Sequence, residues 1–98
     1  MELDIFVAPA ARDDLDNAAR YLAQRNPQAA ISLFQQFDHL VDLIRARPFM
    51  GPAVASIKFI DMRKATMPPY VVYYRVTESA IEIARILHHA RESERQKL

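Results

Sequence analysis

The residues best placed to do chemistry are cations and aromatics gathered in the second half of the chain. Arg63 and Lys64 lie close together, Arg75 follows a run of three tyrosines (Tyr70, Tyr73 and Tyr74), and Arg85, His88 and Arg91 come after it. Guanidinium and ammonium groups beside tyrosine or imidazole rings can hold phosphate and stack a base. Arginine and lysine stems on a sheet also cover apolar surface without any further task. Other chemistries lack their residues. The sequence has no glycine-rich phosphate loop, no nucleophile elbow and no His-Glu-x-x-His motif. With no cysteine, neither a disulfide framework nor a thiolate metal site can form. His39, beside Asp38 and Asp42, reads as a solvated helix position. His88 and His89 are adjacent at a strand end, where side chains alternate between faces, so the pair is poorly arranged to chelate one ion. We expect no metal and no cofactor.

The elements that position these residues follow from periodicity. Leu3, Ile5 and Val7 alternate with Asp4 and predict a short strand. Pro9 suits the first turn of a helix, and Leu15, Ala18, Ala19 and Leu22 give that helix one apolar side. Asp13, Asp14 and Asp16 fall toward its N-terminal end, where the helix dipole favours acids. Asn26 and Pro27 stop it and start another, as N-cap and first residue. Ala30, Leu33, Phe34, Phe37, Leu40, Val41 and Ile44 stripe the second helix, which Pro48 and Gly51 end. So short a connection makes the two helices an antiparallel hairpin.

Beyond Gly51 the period changes to two. Residues 57–66 predict a strand ended by Met67-Pro68-Pro69. Residues 70–76 predict a second, with Tyr70, Val72, Tyr74 and Val76 on one face and Val71, Tyr73 and Arg75 on the other. Residues 80–87 predict a third, with Ile81, Ile83 and Leu87 opposite Ala84 and Ile86. Tyr74 reads as a core residue whose hydroxyl is bonded at the edge. The charged stretch 88–98 reads as a short helix or a frayed tail. The expected fold is α+β, ordered β-α-α-β-β-β: an antiparallel sheet with the helical hairpin packed on one face, in a single domain spanning residues 1–98. Helices on one face alone leave Val71, Tyr73, Ala84 and Ile86 to be covered by a partner polypeptide.

Composition narrows the class. Of the 98 residues, 51% are hydrophobic and 26% charged, which suits a folded globular domain. The net charge of +1 divides unevenly. Residues 1–49 carry seven acids and five bases, and residues 50–98 five acids and eight bases. That bias is too mild to mark a nucleic-acid binder on its own. The acidic start has no basic stretch of a secretory signal, and no apolar run approaches the roughly 20 residues that span a bilayer, so a cytoplasmic protein without membrane contact is expected.

In order and spacing, these pieces resemble the ParE/RelE toxin superfamily of type II toxin–antitoxin systems, nearer its ParE branch. The resemblance rests on Leu3 to Val7; on Ala11, Asp14, Leu15, Tyr21 and Leu22; on Asn26-Pro27 with Ala30; and on residues 47–51, Arg-Pro-Phe-Met-Gly. It continues through Arg63, residues 70–76 and residues 83–91. It implies the β-α-α-β-β-β architecture and toxicity neutralised by a cognate antitoxin whose C-terminal segment wraps the toxin, with operator DNA met only through that antitoxin. It implies one of two targets: DNA gyrase for ParE-like chains, messenger RNA in the ribosomal A site for RelE-like chains. RelE has an arginine directly after the middle-strand tyrosine, where this chain has Val71, and a tyrosine in the tail, where residues 92–98 have none. Arg63, Lys64 and Arg91 match basic positions of the superfamily, and His88 stands near a histidine that related ribonucleases use. The ending Leu87-His88-x-x-Arg91 is ParE-like. The expectation is therefore a gyrase-directed toxin that binds rather than cleaves, with Arg63, Lys64, Arg75, Arg85, His88 and Arg91 as target-contacting residues and Val71, Tyr73, Ala84 and Ile86 as antitoxin-contacting ones. The alternatives are a ribosome-dependent endoribonuclease and a degenerate module that only binds its antitoxin and operator.

Overall fold

Local signals fix both helices in the computed structural model, which describes residues 3–55 and 60–90. Strand β1 (Asp4–Val7) leads into helix α1 (Pro9–Ala23), with Pro9 in its first turn. Helix α2 (Pro27–Ala46) follows at once. The Asn26 side chain accepts the Gln28 N–H at 3.1 Å, supplying a partner to an N–H that the helix itself leaves bare. Ala11, Leu15 and Ala19 of α1 and Leu33, Phe37, Leu40 and Ile44 of α2 are buried, as the 3.6-residue spacing requires. Neither helix, nor any other helix among the described residues, is long and apolar enough to cross a membrane.

Strands β2 (Arg63–Met67), β3 (Tyr70–Val76) and β4 (Ala80–His88) form an antiparallel meander. Pro68-Pro69 turns the first corner through a cis bond. At the second corner the Thr77 hydroxyl receives the Ala80 N–H at 3.1 Å, and the Thr77 N–H donates to the Ala80 carbonyl at 2.8 Å. The sheet is not wholly antiparallel. Its order is β1-β4-β3-β2, and β1 runs parallel to β4, Asp4 facing Ala80 and Val7 facing Ile83. The expected strand over residues 57–66 also begins later. Residues 60 and 61 form a turn, with Asp61 at φ 60, and residues 57–59 lie outside the described residues.

The main core lies between the helical hairpin and one sheet face, where Val72, Tyr74, Ile81, Ile83 and Ile86 pack against α1 and α2. A second, smaller cluster on the opposite face joins Val71, Tyr73 and Leu87, with Val54 against it. Two findings here correct the expected open face. First, β4 carries a bulge. Tyr73 faces Arg85 and Tyr74 faces Ile83, so Ala84 has no partner across the ladder. One extra residue reverses the alternation beyond it, so Ile86 turns into the main core and Leu87 to the other face. Second, the segment after α2 folds back along the sheet. Val54 N–H donates to Met62 O at 2.9 Å, Lys64 N–H to Pro52 O at 3.1 Å, and Ala53 bridges to Arg63. Val71, Tyr73 and Ile86 are therefore only 4%, 1% and 3% exposed, and Ala84 is half-buried. The chain's own elements already cover most of the surface expected to await a partner.

Candidate functional site

The fold divides the candidate residues among three places. The first is the end of the sheet beside the C-terminus of α2. Tyr74 is fully buried, and its hydroxyl donates to Pro48 O at 2.9 Å and accepts the Gly51 N–H at 3.0 Å. Arg63 donates to Gly51 O at 2.7 Å and lies over the Phe49 ring, 4.8 Å from its centroid. Gly51 stands where a side chain has no room: a Cβ there would strike the Lys64 carbonyl and come within 2.8 Å of the Tyr74 hydroxyl. The chain's sole glycine thus serves close backbone approach, and no glycine has a positive φ. Arg75 pairs with Glu82 at 3.3 Å. Arg63 and Arg75 line one open cavity of about 630 Å³ with Phe49, Val54 and Asp61. Lys64 faces Tyr73 across the β2–β3 ladder and is half-buried.

The second place is the flank of β4 beyond the end of β1. The parallel pairing stops at Val7 and Ile83, so Ile86 finds no strand for its N–H on that side. Asp14 of α1 substitutes for the missing strand. Its carboxylate accepts the Ile86 N–H at 2.9 Å and two bonds from Arg85, at 2.8 and 3.0 Å. These bonds hold the Arg85 guanidinium above its ordinary value, the hydrogen bond outweighing the opposing effect of burial. The helix starts at Pro9, so its first turn contains no acid, and Asp14 serves this junction rather than the helix dipole.

The third place is the far end of the sheet. His88 is exposed, meets Tyr70 edge-to-face with centroids 5.7 Å apart, and lines a cavity of about 280 Å³ with Tyr70, Asp14, Asn17 and Tyr21. Burial first, and the nearby Tyr21 second, push the Tyr70 phenol above its ordinary value. The Ala90 N–H donates to Nδ1 of His88 at 3.2 Å, so a neutral His88 presents Nε2–H as a donor. His89 leaves the strand alternation, and its ring lies 4.7 Å from that of His88 instead of on the opposite face. Arg91 lies outside the described residues.

The sequence reading placed Tyr74 correctly but did not single out Asp14, Gly51, Phe49 or Tyr21 as site residues. Asp14 left one trace: it lies three residues after Ala11 and four before Ala18, on the flank of an apolar stripe. Gly51 left another, as the chain's only glycine.

No curated protein matches the chain in sequence. Solved structures do match in fold. A toxin–antitoxin chain of the chromosomal ParDE system of P. aeruginosa aligns with a TM-score of 0.74 at 21% identity, covering 89% of this chain and 96% of that one. The E. coli DinJ-YafQ toxin-antitoxin complex contributes a chain at TM-score 0.66 and 15% identity, covering 93% and 97%. The toxin-antitoxin complex RelBE2 of Mycobacterium tuberculosis contributes another at 0.64 and 15%, covering 90% and 99%. At such identities these likenesses speak for the fold, while the sequence itself matches a family over residues 5–93: the chain belongs to the ParE toxins of the type II toxin-antitoxin system parDE.

Proposed function

We propose that this ParE-family chain arrests growth by inhibiting DNA gyrase, and that a cognate antitoxin neutralises it by wrapping it with a C-terminal segment. The observation that carries the reading is the place of Val71. Metal-free RNA cleavage needs a base for the 2′-hydroxyl, cations on the scissile phosphate and an acid for the leaving oxygen. At the position where RelE has an arginine, Val71 is buried against Tyr73 and Leu87. The strand cation Arg85 is occupied as well, held by two bonds to Asp14. Such a surface suits contact with a protein better than catalysis on RNA. Operator DNA is then reached through the antitoxin alone.

One observation favours a second reading, ribosome-dependent cleavage of messenger RNA. His88 is exposed and set beside Tyr70 and a cavity, an imidazole placed where its protonated form can give a proton to a leaving oxygen. The two readings separate in purified systems. The chain should block supercoiling by gyrase and leave transcripts whole on programmed ribosomes. Intact supercoiling with cut transcripts, abolished by His88→Gln, reverses the assignment. Inactivity in both assays, with the antitoxin still bound, identifies a silent binding module.

A further inference from the structure

Phe49 and Ile60 are the most exposed of the large apolar side chains described, at 66% and 64%, and Met50 beside Phe49 is also exposed. An exposed aromatic on a loose loop means little. Phe49 is not on a loose loop. The residues before and after it are tied to the fully buried Tyr74, through Pro48 O and Gly51 N–H, and Arg63 fastens Gly51 from the other side. The absent Cβ of Gly51 lets the loop sit this close to β2. The chain thus holds an apolar tip in one conformation and leaves it in water. A pre-ordered aromatic loses little freedom on binding, which is what a binding hot spot requires.

The charge around the tip selects its partner. Arg47 flanks Phe49 and Met50, and Arg63 and Arg75 line the adjoining cavity. Among the described residues, two acids stand against these three cations, Asp61 on the same cavity and Glu82 on Arg75. The fold-back of the segment after α2 has meanwhile closed the sheet face at Val71 and Tyr73. We propose that the antitoxin anchors here: an acidic segment lays an apolar side chain against Phe49 and Met50 and sets a carboxylate between Arg63 and Arg75. This deepens the reading of the chain as an antitoxin-neutralised toxin and rests on it.

The test uses the full-length chain and the protein encoded by the adjacent reading frame, with affinity and dissociation rate measured at two salt concentrations. Phe49→Ser should weaken the complex by about thirtyfold, mostly by faster dissociation. Met50→Ser should weaken it less, and Arg75→Gln should weaken it and flatten its salt dependence. Phe49 is exposed, so thermal unfolding of Phe49→Ser should match the wild type, and the Met50 variant provides the same reading if it does not. Affinities within about twofold of wild type in the folded variants overturn the inference while leaving the toxin reading intact. Failure of the wild-type chain to bind that protein overturns the toxin reading itself. Self-association lost in Phe49→Ser, with antitoxin binding unchanged, assigns the tip to a second copy and also overturns the inference.

Discussion

Replacing Asp14 by alanine tests whether one carboxylate closes the open flank of β4. The side chain of Asp14 is 12% exposed and that of Arg85 31%. Three hydrogen bonds end on the carboxylate, from Arg85 Nε, an Arg85 terminal nitrogen and the Ile86 N–H. Alanine strands the Ile86 N–H at a cost of about 1–3 kcal/mol, and the lost charge-assisted bonds to Arg85 contribute about 1.5–3 kcal/mol. Water reaches part of the guanidinium and offsets some of that loss, so the expected net destabilisation is about 3 kcal/mol. For a domain of this size that lowers Tm by roughly 12–24 °C. Asparagine keeps one acceptor oxygen, can still receive the Ile86 N–H, and should cost about half as much. Urea unfolding followed by circular dichroism gives both values, and a double-mutant cycle with Arg85→Ala should return a coupling of about 1–2 kcal/mol. Alanine within about 0.5 kcal/mol of wild type, or asparagine as damaging as alanine, would refute the reasoning.

Tyr74→Phe removes the hydroxyl shared by Pro48 O and Gly51 N–H; it should cost about 1–3 kcal/mol and speed limited proteolysis between residues 47 and 55. Gly51→Ala forces a methyl against the Lys64 carbonyl, with an expected loss of about 1–3 kcal/mol visible in thermal melts. Tyr70 gives a pH prediction with a definite sign. Its folded value lies above the ordinary 10.0, so the stability linked to it is complete below pH 10 and declines as pH rises through the folded value. Phenolate absorbance titrations of the wild type and Tyr70→Phe should differ by one component ionising above 10.0, and no difference there would refute the assignment.

Where structure depended on near neighbours, the sequence was informative. Asn26-Pro27 marked a real helix start, the apolar stripes faced the core, and the alternation through residues 70–76 predicted both faces of β3. Features set by distant parts of the chain were harder to see. Nothing near Asp4 reveals that β1 will run parallel to β4. The bulge at Ala84 was hidden by a strict two-residue period, although Ile81, Ile83 and Ile86 already break that period. The candidate site suffered most from this. Residues counted as one cationic surface are separated by the fold, Arg63 and Arg75 in one place, Arg85 in a second and His88 in a third, and Asp14 acts across a junction that no local pattern describes.

The parallel seating of β1 on β4 also governs when the molecule can exist. Strand β1 has to wait until the chain has been made as far as Ile83 before its neighbour is available. A message cut or stalled ahead of Ala80 therefore yields a hairpin of helices with an orphaned edge and no finished sheet. For a member of the ParE toxin family, the fold is thus completed only when β4 has been made.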